Sequence, residues 1–437
     1  MAGAAHVESY WAATAGPELA DTGAIERDQD VDVAIIGGGY TGLSTAYHLA
    51  KDHGVRAHVL DAQRIGWGCS GRNGGFASVG VGKSDQAGWI RRWGLDEAQR
   101  IFEQSREAVR LVRRLIGEEA IDAEATAEGG LELAHRENRL GELAASQRFL
   151  ADRFGFATEL LGRADLESRY LHSREAYGAL LYSEGFALHA LKYARGLASA
   201  AQRHGAVLHG ASPVIGWTRD GNRHLLQTPG GVVRAREVVI ASNGYTADSL
   251  HPGVAGRLMP VLSNIIVTRP MTAEERAGAA WQTQLKIWDT RHLLFYYRQL
   301  ADGRILFGAR GGIQDTAASR AERRAWLAAR LGQMFPGLCG IETDYFWSGW
   351  VCVTRDLTPH VNTIEDGTVH YALGYMGTGV ALGTLCGRLL AGRLAGAEAA
   401  EAPSALLASP LPRFPFPALR RAYQRAMYAW YELADRM

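Results

Sequence analysis

The chain has 437 residues, enough for two or three domains at roughly 150 residues each, which excludes a small disulfide-stapled scaffold. A hydrophobic content of 47 % with 21 % charged residues is that of a chain able to build a sizeable core, and excludes an obligately disordered one. Forty-seven basic side chains against forty-six acidic ones leave no global field to draw the chain onto nucleic acid or an anionic membrane, so partners must be argued locally.

After an N-terminal extension (1–30), V-D-V-A-I-I at 31–36 reads as a buried strand. It runs into G-G-G-Y-T-G at Gly37 to Gly42, followed by a helix with Leu43, Ala46, Tyr47 and Ala50 on one face. Arg56 to Leu60 then form a second strand ending at Asp61. A glycine-rich loop, G-W-G-C-S-G-R-N-G-G, occupies 66–75. Residues 86–174 are charged and helical in pattern, as in Glu97 to Ile116 and Arg139 to Phe154, and read as a mostly helical insertion. A strand at Gly178 to Tyr182, a helix at His189 to His204, and strands at Ala206 to His209 and Glu237 to Ala241 are expected to join the sheet of residues 31–61. The first domain is therefore discontinuous, built from 31–85, 175–257 and 345–395.

Residues 258–344 change character. Val261 to Thr268 alternates, and Leu293 to Arg298 joins Arg304 to Gly308 across Asp302-Gly303, a hairpin signal that predicts a separate antiparallel sheet. A strand at 368–373 precedes G-Y-M-G-T-G at Gly374 to Gly379, which opens a helix to about Leu394. The segment 396–437 is an Ala-rich linker and a last amphipathic helix, Ala418 to Arg436, expected to dock on the protein itself rather than on lipid.

Cys69, Cys339, Cys352 and Cys386 form no C-x-x-C pair, so no metal site or dithiol is expected and a cytoplasmic setting is the simplest reading. The stretch His6 to Asp32 lacks a basic-then-apolar leader pattern, and no apolar run is long enough for a membrane span.

Gly37, Gly39 and Gly42 match G-x-G-x-x-G between a strand and a helix, with Asp61 about 20 residues on, as the dinucleotide fingerprint requires. The glycines allow a tight turn, close approach of a pyrophosphate, and close helix–strand packing; the phosphates then meet the helix N-terminus and Asp61 the ribose. The second loop favours FAD over NAD, because a longer cofactor lying across the sheet would present phosphate and ring atoms to Ser70, Arg72 and the backbone of Asn73, Gly74 and Gly75.

The runs V-A-I-I-G-G-G-Y-T-G-L-S-T-A, S-G-R-N-G-G, E-V-V-I-A-S-N-G-Y and L-G-Y-M-G-T-G-V-A together resemble the D-amino-acid-oxidase-like (DAO) FAD-dependent oxidoreductases, over about residues 30–395. The S-G-R-N-G-G loop looks like the branch containing γ-glutamylputrescine oxidase. The resemblance implies an α/β fold in which a Rossmann-like FAD-binding domain is interleaved with an antiparallel-sheet substrate domain (258–344). It also implies oxidation of a carbon–nitrogen bond by hydride transfer to flavin N5, giving an imine and then an aldehyde, with O2 or another acceptor taking the electrons. The cofactor set it implies is Gly37, Gly39, Tyr40, Thr41, Gly42, Asp61, Ala62, Gly68, Ser70, Arg72, Asn73, Gly74, Gly75, Val214, Ser242, Asn243, Gly244, Gly377, Thr378, Gly379 and Val380. A helix starting at 377–380 would stabilise the charge that gathers on a reduced flavin.

Residues 347–359, W-S-G-W-V-C-V-T-R-D-L-T-P, resemble the W-x-G-x-R-P-x-T-x-D-x-x-P of glycine-oxidase-like members, in which the arginine clamps a substrate carboxylate. Here Val351 stands at the arginine and Cys352 at the proline. A valine makes no bidentate pair, which turns the expectation from a free α-amino acid towards an amine, although Arg355 or Arg298 could supply a cation. An α-amino-acid or N-methyl-amino-acid oxidase or dehydrogenase, and a flavin-binding redox partner without turnover, stay open as alternatives. Cys352 falls where sarcosine-oxidase-like relatives attach flavin covalently, but a buried cysteine and non-covalent FAD are the expectation. The substrate walls are expected to be aromatic and cationic: Trp347, Trp350, Tyr296, Arg298, Tyr375 and Met376, with Trp288 near them. His360 and Tyr297 are candidate catalytic residues, and His189 and His292 further proton acceptors. In several relatives a lysine near the flavin assists oxygen; this chain has only Lys51, Lys83, Lys192 and Lys286.

Overall fold

The computed structural model describes residues 4–397 and 401–435. A short helix, α1 (Tyr10–Thr14), is followed by β1 (Gln29–Ile36), α2 (Tyr40–His53) and β2 (Ala57–Leu60). A two-residue strand, β3 (Phe76–Ala77), leads to α3 (Gln86–Trp93), α4 (Leu95–Glu118), β4 (Gly130–Leu133) and α5 (Glu137–Phe154). Next come β5 (Thr158–Gly162), α6 (Arg163–Arg169), β6 (Gly178–Tyr182) and β7 (Phe186–Ala187). Then α7 (Ala190–Arg203), β8 (Val207–His209), β9 (Gly216–Asp220), β10 (Arg223–Thr228) and β11 (Gly231–Ile240) bring the chain back to its first strand. The second half holds β12 (Met259–Thr268), α8 (Ala273–Gly278), β13 (Lys286–Asp289), β14 (Phe295–Gln299) and β15 (Ile305–Arg310). It continues with α9 (Ala317–Met334), β16 (Thr343–Val353), β17 (His360–Ile364), β18 (Val369–Leu373), α10 (Ala381–Leu394) and α11 (Arg420–Ala434).

Two eight-stranded sheets result. The first has the order β17-β18-β11-β1-β2-β8, with the β9–β10 hairpin on β11. Its centre is parallel: β1 lies between β2 and β11, and β11 beside β18. A strand, helix and strand in that order form the right-handed crossover expected of a dinucleotide-binding sheet. Helices α2, α7 and α10 pack on one another beside it, and Gly387 makes the approach of α10 to α2 possible, since a Cβ there would lie 2.6 Å from the Thr41 carbonyl oxygen.

The second sheet has the order β16-β12-β15-β14-β13-β4-β6-β5, antiparallel except for the β13–β4 pair. The 295–299 and 305–310 strands form the hairpin read from Asp302-Gly303. One face of this sheet, with Leu131, Ile287, Tyr297 and Phe307, buries itself against Leu327, Leu331 and Met334 of α9. The other face looks toward the first sheet.

Three sequence expectations need correction. Gly178–Tyr182 does not join the sheet of residues 31–61: β6 pairs with β4 and β5 in the second sheet. Segment 86–174 is helical in α3 to α6 but also contributes β4 and β5, so it extends the substrate sheet rather than standing apart from it. An apolar strand does not encode which sheet it joins. The segment 345–395, expected wholly in the first domain, is divided: β16, at 343–353, lies on the edge of the second sheet against β12, while β17 and β18 complete the first. The helix expected over Ala418–Arg436 is α11, docked on the protein: Tyr423 and Met427 pack on a cluster containing Val261 and Met376. Arg436 and residues 398–400 of the linker lie outside the described residues. Among the described residues no helix is long and apolar enough to cross a membrane.

Candidate active site

A cavity of about 800 Å³ lies between the C-terminal ends of the parallel strands and the inner face of the second sheet. That is the place where open α/β sheets bind ligands, and the volume is toward the upper end of the roughly 300–1,000 Å³ of ligand pockets. Its wall contains Gly37, Gly39, Tyr40 and Thr41 of the first turn; Asp61 and Ala62; Gly68, Ser70, Arg72, Asn73 and Gly74 of the second loop; Val214, Ser242 and Asn243; and Gly377 to Val380 of the third.

The three loops touch one another. Tyr40 N donates to Ser70 Oγ at 2.9 Å, Thr41 Oγ1 and Tyr375 OH lie 2.7 Å apart, and Gly374 N donates to Asn243 Oδ1 at 2.9 Å. Three expected cofactor residues stand behind the wall rather than on it. A Cβ on Gly42 would lie 2.0 Å from the Gly37 carbonyl oxygen, one on Gly75 2.0 Å from that of Leu188, and one on Gly244 2.7 Å from that of Trp350. These glycines let backbones pass, and the loops in front of them hold their shape as a result.

The donor set fits FAD. Gly39 and Val380 cap α2 and α10 with no side-chain bond of their own, Ser70 Oγ accepts from Tyr40 N at the start of α2, and both helix N-termini face the cavity with their positive ends. Asp61 accepts from Gly38 N at 2.7 Å and Gln63 N at 2.8 Å, and burial still pushes its pKa up. Its remaining lone pairs suit ribose hydroxyls. Arg72 lies 3.8 Å over the Trp67 ring and donates through Nε to Trp67 O at 2.8 Å, while its buried Nη2 has no partner among the described residues. Arg72 itself lines the cavity, and a buried guanidinium nitrogen without a partner calls for an anionic or carbonyl oxygen.

The second sheet supplies the opposite wall. Strand alternation puts Gly349, Val351, Ser263, Arg310, Tyr296, Trp288, Lys286, Glu132 and Tyr182 on the cavity face, and all line it. Tyr296 OH and Ser263 Oγ are 2.7 Å apart. Arg310 donates through Nη2 to the carbonyl of Met376, whose φ of +52° holds that carbonyl in place, and burial lowers the arginine's pKa. Tyr375 and Met376 also line the cavity.

Other expected site residues are elsewhere. Tyr297 points to the opposite face of β14, between Trp281 and Phe335, with its hydroxyl unpartnered among the described residues. His360 is buried away from the cavity, 3.0 Å from Asp356 Oδ1 and 2.8 Å from Ser409 O. Neither lines the cavity. Trp347 instead donates to Arg72 O at 2.7 Å, bracing the second loop from behind together with Trp11, whose Nε1 donates to Asn73 O at 2.8 Å. Trp350 faces outward beneath Arg421, and Arg298 donates to Leu188 O at 2.7 Å. Arg355 is exposed. His189 caps α7, and His292 is held by Asp435. Cys352 is on the face opposite Val351, packed with Ile240 and Tyr371, and burial pushes its thiol up to about 12; it does not line the cavity, so covalent attachment there has no geometric basis.

Sequence reasoning missed Arg310, Glu132 and Tyr182, and of the four lysines it named, Lys83 and Lys286 line the cavity. Burial lowers Lys83 to about 8 and Lys286 to about 7. The signal for Lys286 was present: it stands two residues before Trp288 on a four-residue strand, so the two share a face.

The comparisons with known proteins agree with this geometry. The family model for FAD-dependent oxidoreductases (DAO) matches residues 32–393. The γ-glutamylputrescine oxidoreductase of Escherichia coli strain K12 is 33 % identical over 436 residues, covering 99 % of both chains. The glycine oxidase of Bacillus subtilis is 23 % identical over 377 residues, 82 % of this chain and 91 % of that one. Among solved structures, glycine oxidase from Geobacillus kaustophilus superposes with a TM-score of 0.71 at 23 % identity over 88 % of this chain and 99 % of that one, a likeness of fold. From its first glycine turn to the end of α10, the chain belongs to the DAO family of FAD-dependent oxidoreductases.

Proposed function

We propose that the protein oxidises the carbon–nitrogen bond of an amine of the γ-glutamylputrescine type. The observation that carries this reading is Val351: it lines the cavity where the glycine-oxidase-like pattern has its carboxylate-clamping arginine, and it offers a carboxylate no donor. The likeness to the E. coli γ-glutamylputrescine oxidoreductase over nearly the whole chain supports the same direction.

FAD, when bound, accepts a hydride from the carbon beside the nitrogen and gives the electrons to a separate acceptor, O2 or another oxidant. The three glycine loops, Asp61 and Arg72 would hold it. Tyr296 and Trp288 give an amine aromatic walls, which attract its ammonium form and exclude water from its neutral form. Arg310 and the N-terminus of α10 bring positive potential to one end of the cavity, where they would stabilise charge developing on reduction. The amine must be neutral when it loses hydride; Lys83 lines the cavity, lowered to about 8 by burial, with its Nζ donating to His292 O at 2.5 Å. The imine product hydrolyses to an aldehyde and ammonia.

A second reading is a free α-amino acid or N-methyl amino acid. Arg310 favours it, being a cavity cation with no carboxylate at ion-pair distance among the described residues. Anaerobic addition of γ-glutamylputrescine, putrescine, sarcosine and glycine to the holoenzyme separates the two, read at the flavin band near about 450 nm. Bleaching by γ-glutamylputrescine is the expected result. Bleaching by sarcosine or glycine alone overturns the proposal in favour of the second reading.

A further inference from the structure

Glu132 and Lys286, an acid and a base, face the same cavity from neighbouring strands and are not paired to each other. In the parallel β4–β13 ladder Gly130 is opposite Lys286 and Glu132 opposite Trp288. The two side chains are thus diagonal neighbours on one face, roughly 8 Å apart at Cα from a strand spacing of about 4.8 Å and two residues of rise at about 3.3 Å each. Gly130 makes the space between them, since a Cβ there would come 2.9 Å from the Trp288 ring and 3.1 Å from Lys286 Cε.

Each of the two ionisable groups has only neutral partners. Glu132 accepts from Tyr182 OH at 2.8 Å and from the Trp288 side chain, and among the described residues no cation lies at ion-pair distance from it. Lys286 Nζ donates to Ser78 Oγ at 2.9 Å, with no carboxylate at that distance among the described residues. Phe102 and Phe156 line the same cavity. Charges in a dry, apolar site are costly without partners. A ligand bearing one charge would satisfy only half of this pair.

We infer that Glu132 and Lys286 form a subsite for the ammonium and carboxylate of an α-amino-acid head group, carried at the end of the substrate remote from the amine that is oxidised. The inference rests on the reading of the protein as an oxidoreductase of a γ-glutamylputrescine-type amine. Glu132 on β4 is three strands from Arg310 on β15, roughly 14 Å at about 4.8 Å per strand. A four-carbon amine joined through an amide to glutamate has the extent for such a cavity, and a free α-amino acid does not.

The test uses two probes on the holoenzyme. γ-Glutamyl-n-butylamide has the head group and no second amine, so calorimetric titration with it reads the subsite without turnover. It is expected to bind, and Glu132→Gln and Lys286→Met are each expected to weaken it at least about 10-fold, the usual scale for losing a charge-assisted contact. Lys286→Arg, which keeps the charge, should recover most of the binding. In anaerobic reduction, the two charge-removing variants should raise the half-saturating concentration of γ-glutamylputrescine about 10-fold more than that of putrescine. If both variants bind the butylamide as wild type does, or lose the two amines equally, the subsite is overturned. Should a variant fail to retain FAD, the wild-type preference of γ-glutamylputrescine over N-acetylputrescine decides: a ratio below about twofold also overturns it. If the butylamide binds through both side chains but no amine bleaches the flavin, the functional reading falls and the subsite stands. If γ-glutamylputrescine bleaches wild type and variants alike, the subsite falls and the reading stands.

Discussion

The Thr41 hydroxyl and the Tyr375 phenol oxygen lie 2.7 Å apart, joining the first turn of α2 to the loop before α10 across 334 residues of sequence. Both side chains are buried, and the bond holds the first and third glycine loops at a fixed separation on the cavity wall. Tyr375→Phe removes it and leaves the Thr41 hydroxyl with one partner fewer. The expected loss is about 1–2 kcal/mol, so FAD should dissociate from the variant with a constant about 5- to 30-fold higher. Fluorescence titration of the apoprotein with FAD checks this, and an unchanged constant would show that the loops hold their spacing by packing alone.

Arg72 offers a sharper test of the second loop. Its Nε donates to Trp67 O and its Nη1 to Ser348 O, while its buried Nη2 has no partner among the described residues. Lysine could not serve both backbone carbonyls and a cofactor oxygen from one ammonium. Arg72→Lys should therefore lose FAD on a desalting column that wild type survives, with affinity reduced about 10-fold or more. Added salt should change the difference little, because the contact is buried.

The first sheet was largely legible because its signals are local. The run from Val31 to Asp61 carries strand, glycine turn, helix and acid within one contiguous stretch, and the Asp302-Gly303 hairpin needed only its own neighbours. The β9–β10 hairpin was missed although Asp220-Gly221 sits at its turn, since the flanking Trp217 to Arg219 and Arg223 to Leu225 do not alternate cleanly. What local pattern could not supply was partnership. G-A-L-L-Y at 178–182 is equally apolar in either sheet, and its place was settled by pairing with 130–133 and 158–162. The site followed the same rule. The cofactor loops lie at strand ends that the motifs mark, whereas His360 and Tyr297 were chosen for their chemistry. His360 faces Ser409 because the chain after α10 returns along β17, a contact between distant segments that no spacing in the sequence encodes.

Val351 lines the cavity on the same face of β16 as Gly349, opposite Val261 of β12. If this position decides between amines and amino acids, Val351→Arg should create a carboxylate clamp. The expected outcome is about a 10-fold gain in apparent affinity for sarcosine or glycine, the scale of a charge-assisted hydrogen bond, together with a loss for γ-glutamylputrescine. Steady-state measurement of kcat/KM for the two substrate classes checks it. A variant that keeps FAD and shows no shift in preference would mean that Arg310, rather than residue 351, governs carboxylate recognition.

Lys286 makes the fold itself sensitive to pH. Burial lowers its pKa from 10.5 to about 7, and the Glu128 carboxylate opposes the shift. Glu132 and Glu184 also line this end of the cavity, and Ser78 Oγ accepts from Nζ. Between pH 7 and 10.5 the unfolded chain holds the lysine proton and the folded chain has released it, so stability rises with pH across that window. Below pH 7 both states are protonated and the cost of the buried ammonium is constant and complete. Lys286→Met should thus be the more stable protein at pH 6, by several degrees in Tm, with the gap shrinking steadily from pH 7 toward 10. Thermal melts of the substrate-free holoenzymes at intervals of one pH unit test this. A gap that stays constant would mean that Nζ remains charged in the folded state, and the binding of a head-group carboxylate would then be independent of pH in this range. With the lowered pKa, that binding should instead weaken above pH 7, by up to about tenfold per unit, as the free enzyme loses the proton the ligand needs.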